Sequence, residues 1–336
     1  MEMKQARERI GWLDMAKGYG IILVILGHLD IGGLEIWIYT FHVPLFFFLS
    51  GYVFNEKKNF GAFVKNKCKS LLIPYVMLGL IMVIYDGIGI PPSNNFNNCL
   101  PLIKELIIQR RMWTLWFIAC LFFLNIIFYL IKKLLKVNLY MAIAAIVMVC
   151  IGTIYYSYGG PALPWNIDVC LMAYPFFFAG YYYRQNNTTI DNYLNNNSII
   201  VLVISLMINV VCGISSYRIS GQEMDMYFSH YGILPLTYIS AMAGIICIII
   251  ISKKVTIKPI QYIGQNSLIY FAWHQTIMMS VTSRILSICH FSIDAASSLG
   301  VTATYKIVQF VLMMVLLKIC NWIISNSKFK FMLGKS

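Results

Sequence analysis

The chain has 336 residues, of which 59% are hydrophobic and only 12% charged, and its mean hydropathy is +0.72. So apolar a composition excludes a soluble globular domain, whose hydrophobic share is about 45–50%. The formal net charge of +13 would suit a nucleic-acid partner, but its distribution along the chain, described below, assigns it to membrane-flanking loops instead.

Apolar runs of about 18 to 22 residues recur throughout, the length an α-helix needs to cross the hydrocarbon core. They cover 12–31, 35–54, 70–90, 113–131, 138–157, 167–183, 198–217, 231–252, 266–288 and 300–325. The expected fold class is all-α: a polytopic transmembrane helical bundle of about ten spans, forming a single integral-membrane domain over 1–336. The stretches between spans are too short to hold a soluble domain. The start of the chain carries Asp14 and Lys17 early in its first apolar run, with no small-residue cleavage site after it. A removable secretory signal is therefore not expected.

Cytoplasmic loops carry an excess of Lys and Arg. Lys4, Arg7 and Arg9 precede the first span; Lys57, Lys58, Lys65, Lys67 and Lys69 follow the second; Lys132, Lys133 and Lys136 follow the fourth. Arg184 follows the sixth, Lys253, Lys254 and Lys258 the eighth, and Lys328, Lys330 and Lys335 the last. Eighteen basic residues thus fall on one side, against six on the other: Lys104, Arg110, Arg111, Arg218, Arg284 and Lys306. Both termini are expected in the cytoplasm. The positive loops then face anionic lipid headgroups, and no nucleic-acid partner is needed.

The first span contains Arg9-Ile10-Gly11-Trp12-Leu13-Asp14-Met15-Ala16-Lys17-Gly18, in which Asp14 and Lys17 stand three positions apart and are able to pair. From there the helix runs uncharged to Gly27-His28. The step from Lys17 to His28 leaves only about 20° after whole turns and rises roughly 16 Å, so the two share a face across about half the bilayer core. A long thioester donor with its anionic end held at the inner mouth would have its acyl group near His28. The second span opens on Phe41-His42-Val43-Pro44, placing His42 at a depth comparable with His28. Ionisable groups at such depth are costly and are functional-site candidates. Neutral imidazole is the side chain best suited to take a proton from a hydroxyl near pH 7.

Nine cysteines, most of them inside spans at Cys120, Cys150, Cys170, Cys212, Cys247 and Cys320, show no metal-ligand spacing and read as small apolar side chains. No metal site is expected. The Asn clusters at 94–98 and 195–197 read as loops, and the Asn186-Asn187-Thr188 glycosylation-type triplet lies on an expected cytoplasmic loop. Trp113 and Trp116 read as an aromatic belt. No internal repeat points to an inverted-repeat transporter.

Leu13-Asp14-x-x-Lys17-Gly18 leading to Gly27-His28, followed by Phe41-His42-x-Pro44-Leu45-Phe46-Phe47-x-Leu49-Ser50-Gly51-Tyr52, resembles the integral-membrane acyltransferase type 3 family. Within it the likeness is greatest to fucose 4-O-acetyltransferase-like members. Supporting matches follow in order: Leu72-Ile73-Pro74-Tyr75, Leu115-Trp116-Phe117, Phe176-Phe177-Phe178-Ala179-Gly180-Tyr181, and Ile263-Gly264-Gln265-Asn266-Ser267-Leu268 leading to His274. The resemblance implies transfer of an acetyl group from cytoplasmic acetyl-CoA to a hydroxyl, often of an extracytoplasmic sugar. Where the family commonly has Arg ten residues before the histidine, this chain has Lys17, which keeps the charge and loses the bidentate fork.

The resemblance implies His28 as catalytic base with His42 in the site. Lys17, with Asp14 and His274, is expected on the donor side. Arg110, Arg111 and Arg284 are expected to meet the acceptor, and Arg218, His230 and His290 also face outward. No permanently bound cofactor is expected, acetyl-CoA being a donor substrate. The other partners are membrane lipid and a surface polysaccharide or lipid-linked saccharide, and the expected location is the plasma (inner) membrane. Direct general-base attack and a covalent acyl-histidine both fit the residues. A proton-coupled exporter of a small acid or saccharide is the alternative function.

Overall fold

The computed structural model describes residues 10–55, 59–88, 98–293 and 297–334, which are helical with short connections. The basic residues Lys4, Arg7, Arg9, Lys57, Lys58 and Lys335, the asparagines at 94, 95 and 97, and both termini lie outside the described residues. In chain order the helices begin with α1 (Gly11–Gly27), α2 (Leu34–Tyr39), α3 (His42–Tyr52) and α4 (Phe60–Lys67). A π-helical turn, Cys68–Leu72, joins α4 to α5 (Ile73–Ile88), and α6 (Cys99–Ile108), α7 (Trp116–Leu135) and α8 (Asn138–Ser157) follow. The second half comprises α9 (Ile167–Gln185), α10 (Asn187–Asn196), α11 (Ser198–Ser220), α12 (Leu234–Lys254) and α13 (Lys258–Gln265). It ends with α14 (Ser267–Trp273), α15 (Ser280–Ile288) and α16 (Leu299–Ser325).

Among the described residues, seven helical stretches are long and apolar enough to cross a membrane: Leu34–Tyr52, Phe60–Gly87, Trp116–Leu135, Asn138–Ser157, Ser198–Ser220, Leu234–Lys254 and Leu299–Ser325. The other expected spans correspond to a seventeen-residue α1, to α9 with its closing run of tyrosines and Arg184, and to α14 and α15 separated by a π-helical segment. The stretches differ in role. Leu34–Tyr52 is 61% buried and Leu234–Lys254 is 56% buried, whereas α8 and α11 are each 17% buried and expose isoleucine, valine and leucine along their lengths. The first two form the interior, and the outer helices present the apolar surface that lipid requires.

Two segments expected as loops are helical. Residues 60–72 form α4 and the π turn because Asn59 caps Ala62 N at 2.9 Å while Phe63 packs on Phe54 and Tyr129. This carries Lys65, Lys67 and Lys69 on a helix that runs on into α5. Residues 187–196, expected as an asparagine-rich loop, form α10, whose Leu194 is buried and whose Asp191 pairs with Lys253 and accepts from Tyr183 Oη.

Helix crossings explain the motif glycines. A β-carbon at Gly51 would collide with the Phe177 carbonyl, and one at Gly180 with the Phe48 carbonyl, so α3 and α9 touch backbone to backbone at reciprocal positions. The same arrangement joins α1 to α13, where Gly18 meets the Ile260 carbonyl and Gly264 the Asp14 carbonyl. Bundles in lipid gain their cohesion from such close approaches by small residues. Gly180→Leu is therefore expected to force α3 and α9 apart and lower the thermal midpoint in detergent by several degrees, while Gly61→Leu, which meets open space, leaves it unchanged. A thermal shift assay on both variants checks this.

Candidate functional site

α1 ends where its sequence reaches Gly27-His28. Gly27 lies flat beneath the ring of Tyr39, and His28 caps the helix, its backbone N–H pointing back to Ile25 and Leu26. The chain reverses through Asp30, Gly32 and Gly33, all at positive φ, of which Gly33 at φ 93° starts α2. α2 and α3 are held in place by a buried polar network. Asn209 of α11 accepts from Trp37 Nε1 at 2.5 Å and donates to Thr40 Oγ1 at 3.0 Å, to the Ser240 carbonyl at 2.9 Å and to Ser240 Oγ at 3.0 Å. That bracing sets the first turn of α3, and with it His42, which is 3% exposed.

The third histidine comes from a broken helix. Between α14 and α15, residues His274–Met279 take π-helical geometry, which widens the helix at functional positions and frees carbonyl groups. Those carbonyls find partners: Thr114 Oγ1 donates to the Ala272 carbonyl at 2.8 Å, and His274 Nδ1 lies 2.8 Å from the Phe271 carbonyl. The ring of His274 is fully buried and stands edge-on to that of His28, with centroids 4.9 Å apart and His274 Nε2 3.5 Å from His28 Nδ1.

All three imidazoles bond in one way. His28 Nδ1 is 2.8 Å from the Val24 carbonyl and His42 Nδ1 2.9 Å from the Ile38 carbonyl, as His274 Nδ1 is from that of Phe271. A carbonyl oxygen only accepts, so each neutral ring carries its proton on Nδ1 and its lone pair on Nε2, which in His274 is directed at His28 Nδ1. The rings therefore present proton acceptors. Tyr39 lies between His42 and His28, its ring centroid 4.8 Å from the first and 6.1 Å from the second.

The three histidines line one cavity of about 490 Å³. Its wall is completed by Trp113, Thr114 and Trp116 before and at the start of α7, by Asp86 at the end of α5, and by Asp225, Tyr227 and Phe228 from the α11–α12 connection. That connection is closed by reciprocal 2.8 Å bonds between Asp225 and His230, and Asp225 Oδ1 accepts from Tyr227 N at 2.7 Å. Burial pushes the Asp225 carboxyl up to about 6, opposed by the backbone N–H groups of Tyr227 and Phe228. The 109–116 wall is pinned from below. Gln109, fully buried, donates to Tyr75 Oη at 2.9 Å and accepts from Met112 N at 2.6 Å, and Asn166 donates to the carbonyls of Gln109 and Trp116.

Phe271, which lines the cavity, meets Phe117 edge-on and Phe46 at a tilt, at centroid distances of 5.3 and 6.5 Å, and the Phe46 ring lies against Gly20 of α1. Along α1 the cavity reaches Val24 and His28, and Lys17 does not line it. Asp14 keeps its Oδ2 buried without a hydrogen bond beside the α1–α13 crossing.

The family model described as an acyltransferase domain matches residues 10–325. No curated protein and no solved structure matches the chain.

Of the residues expected from sequence, His28, His42 and His274 come together, with His274 beside His28. Lys17 and Asp14 lie toward the other end of α1. None of Arg110, Arg111 and Arg284 lines the cavity: Arg110 and Arg284 are exposed, and Arg111 is bonded to Asp168. Asp168 is fully buried and also accepts from Tyr156 Oη at 2.9 Å and Leu163 N at 3.2 Å. Sequence reasoning missed Asp86, Asp225, Tyr39 and Tyr227. Asp225 sits in the connection between α11 and α12, outside the apolar runs, two residues before Tyr227-Phe228. Removing Arg111 strands a buried carboxylate, which typically costs about 3–5 kcal/mol. Arg111→Ala is therefore expected to lower thermal stability sharply, and Arg110→Ala to leave it unchanged, as a melting curve of each would report.

Proposed function

The chain belongs to the acyltransferase-domain family and is a membrane protein, and on that premise we propose that it acetylates a hydroxyl of a surface saccharide or its lipid-linked precursor, drawing on cytoplasmic acetyl-CoA. The observation that carries this reading is the meeting of His28, His42 and His274 in one cavity, with the Nε2 lone pairs of His28 and His42 left as proton acceptors and that of His274 directed at His28. In the proposed reaction His28 Nε2 takes the proton from the acceptor hydroxyl while that oxygen attacks the thioester carbonyl. The new C–O bond forms, the C–S bond breaks, and the thiolate leaves with the proton returned by the imidazolium. His274, with its lone pair toward the His28 ring, positions the base rather than the donor. His42 and Tyr39 flank the reacting oxygen.

Lys17, steadied by Asp14, holds the anionic end of the donor at the inner foot of α1, and the acyl arm follows the helix face toward His28. Ten spans with both termini in the cytoplasm suit that direction of transfer, and the excess of lysine and arginine on one side favours it. The enzyme then works as a single domain of the plasma membrane, with the cavity opening outward.

His28→Ala is expected to reduce O-acetyl content of surface glycans at least 10²-fold at equal membrane abundance, the lower range of general-base contributions. Unchanged acetylation would remove His28 as the base. Loss of acetylation together with loss of glycan export would favour the proton-coupled exporter. Radiolabel retained on the protein from acetyl-CoA without acceptor would replace direct attack by an acyl-histidine route.

A further inference from the structure

The cavity carries two carboxylates and, among its described lining residues, no lysine or arginine. Asp86 accepts from the Trp113 side chain, and Asp225 has one oxygen committed to Tyr227 N. A carboxylate offers about four lone-pair sites, so each keeps acceptor capacity for a hydroxyl. The remaining wall on that side is aromatic: Trp113, Trp116, Tyr227 and Phe228, with Tyr227 and Trp116 ring centroids 6.2 Å apart. Aromatic faces take the apolar C–H side of a sugar ring, and carboxylates take its O–H groups. The arginines that could balance an anion stand elsewhere, Arg111 being bonded to Asp168.

We propose that Asp86 and Asp225 form an acceptor-selecting pair, so that the cavity admits an uncharged, hydroxyl-rich sugar residue and rejects one bearing a carboxylate or phosphate beside the hydroxyl to be modified. This rests on reading the cavity as the acceptor end of an acyl-transfer site. An anionic sugar would lie against two like charges, the exposed Asp86 and the half-buried Asp225, and such repulsion selects between otherwise similar ligands. A lipid-linked acceptor must then present a sugar that stands clear of its phosphate linkage.

The test uses the full-length protein in lipid nanodiscs and two readouts. Binding is followed by intrinsic tryptophan fluorescence, since Trp113 and Trp116 line the cavity, and turnover by transfer from radiolabelled acetyl-CoA. The probes are matched methyl glycosides: glucoside with glucuronide, galactoside with galacturonide, mannoside with mannuronide. At least one neutral member is expected to bind ten times or more tightly than its uronide partner. Asp225→Asn and Asp86→Asn are each expected to narrow that ratio, and Asp225→Lys to reverse it. Equal affinity for both members of every pair, binding of neither, or a ratio unmoved by all three substitutions overturns the proposal. Neutral selectivity retained without acetyl transfer to any probe or to surface glycan would leave the selection standing and remove the acyl-transfer reading.

Discussion

The site depends on hydrogen bonds from imidazole rings to carbonyls of their own helices. A histidine in an apolar bundle has no water to satisfy Nδ1, and an unsatisfied polar group there is expensive. His28 and His42 meet that demand four residues back along the chain, at Val24 and Ile38, and His274 three residues back, at Phe271. One requirement of the apolar environment thereby fixes two properties of the site. It sets the direction of each ring, and it sets the tautomer, so that every lone pair is on Nε2, that of His274 directed at His28. Many enzymes orient a catalytic histidine with a carboxylate; here backbone oxygen performs the task, which spares the bundle another buried charge.

Each bond requires a carbonyl that its helix would otherwise share or leave free, and each histidine stands where a helix is irregular. His28 is the C-cap of α1, His42 the first residue of α3, and His274 the first residue of the π-helical segment. Irregular backbone at membrane depth persists only where it lines a cavity or is buried in protein. The surrounding polar residues supply that burial: Asn209 braces Trp37, Thr40 and Ser240, Thr114 takes the Ala272 carbonyl, and Gln109 with Asn166 holds the wall that bears Trp113 and Trp116. The Gly51–Gly180 and Gly18–Gly264 crossings then let the helices approach closely enough for those contacts to form.

Helical segments were legible because apolar runs and their lengths report directly on lipid, and α7, α8, α11, α12 and α16 lie within a few residues of the apolar runs. His28 and His42 were legible because an imidazole in such a run stands out. Three kinds of feature were not. Amphipathic helices such as α4 and α10 carry too many polar residues to register as apolar runs, and their order comes from Phe63 and Leu194 finding neighbours distant in sequence. The depth of His274 depends on where the π segment falls, which hydropathy does not report. The roles of Arg111 and Asp225 are set by partners: Asp168 lies 57 positions from Arg111, and the Asp225 turn gains meaning only where it meets Asp86 and the histidines.

Lys17 and His28 share a face of α1, yet the space between them is not open. Gly20 lies on that stretch, and the ring of Phe46 fills the room that a side chain there would have taken, backed by Phe117 and Phe271. Under the acyl-transfer reading proposed above, a chain reaching the histidines from the Lys17 end of α1 would have to displace that ring. The aromatic layer of Phe46, Phe117 and Phe271 stands between Gly20 and the histidine cavity. The same Phe271 accepts the His274 Nδ1 hydrogen bond through its carbonyl, so the aromatic layer and the third imidazole share one residue.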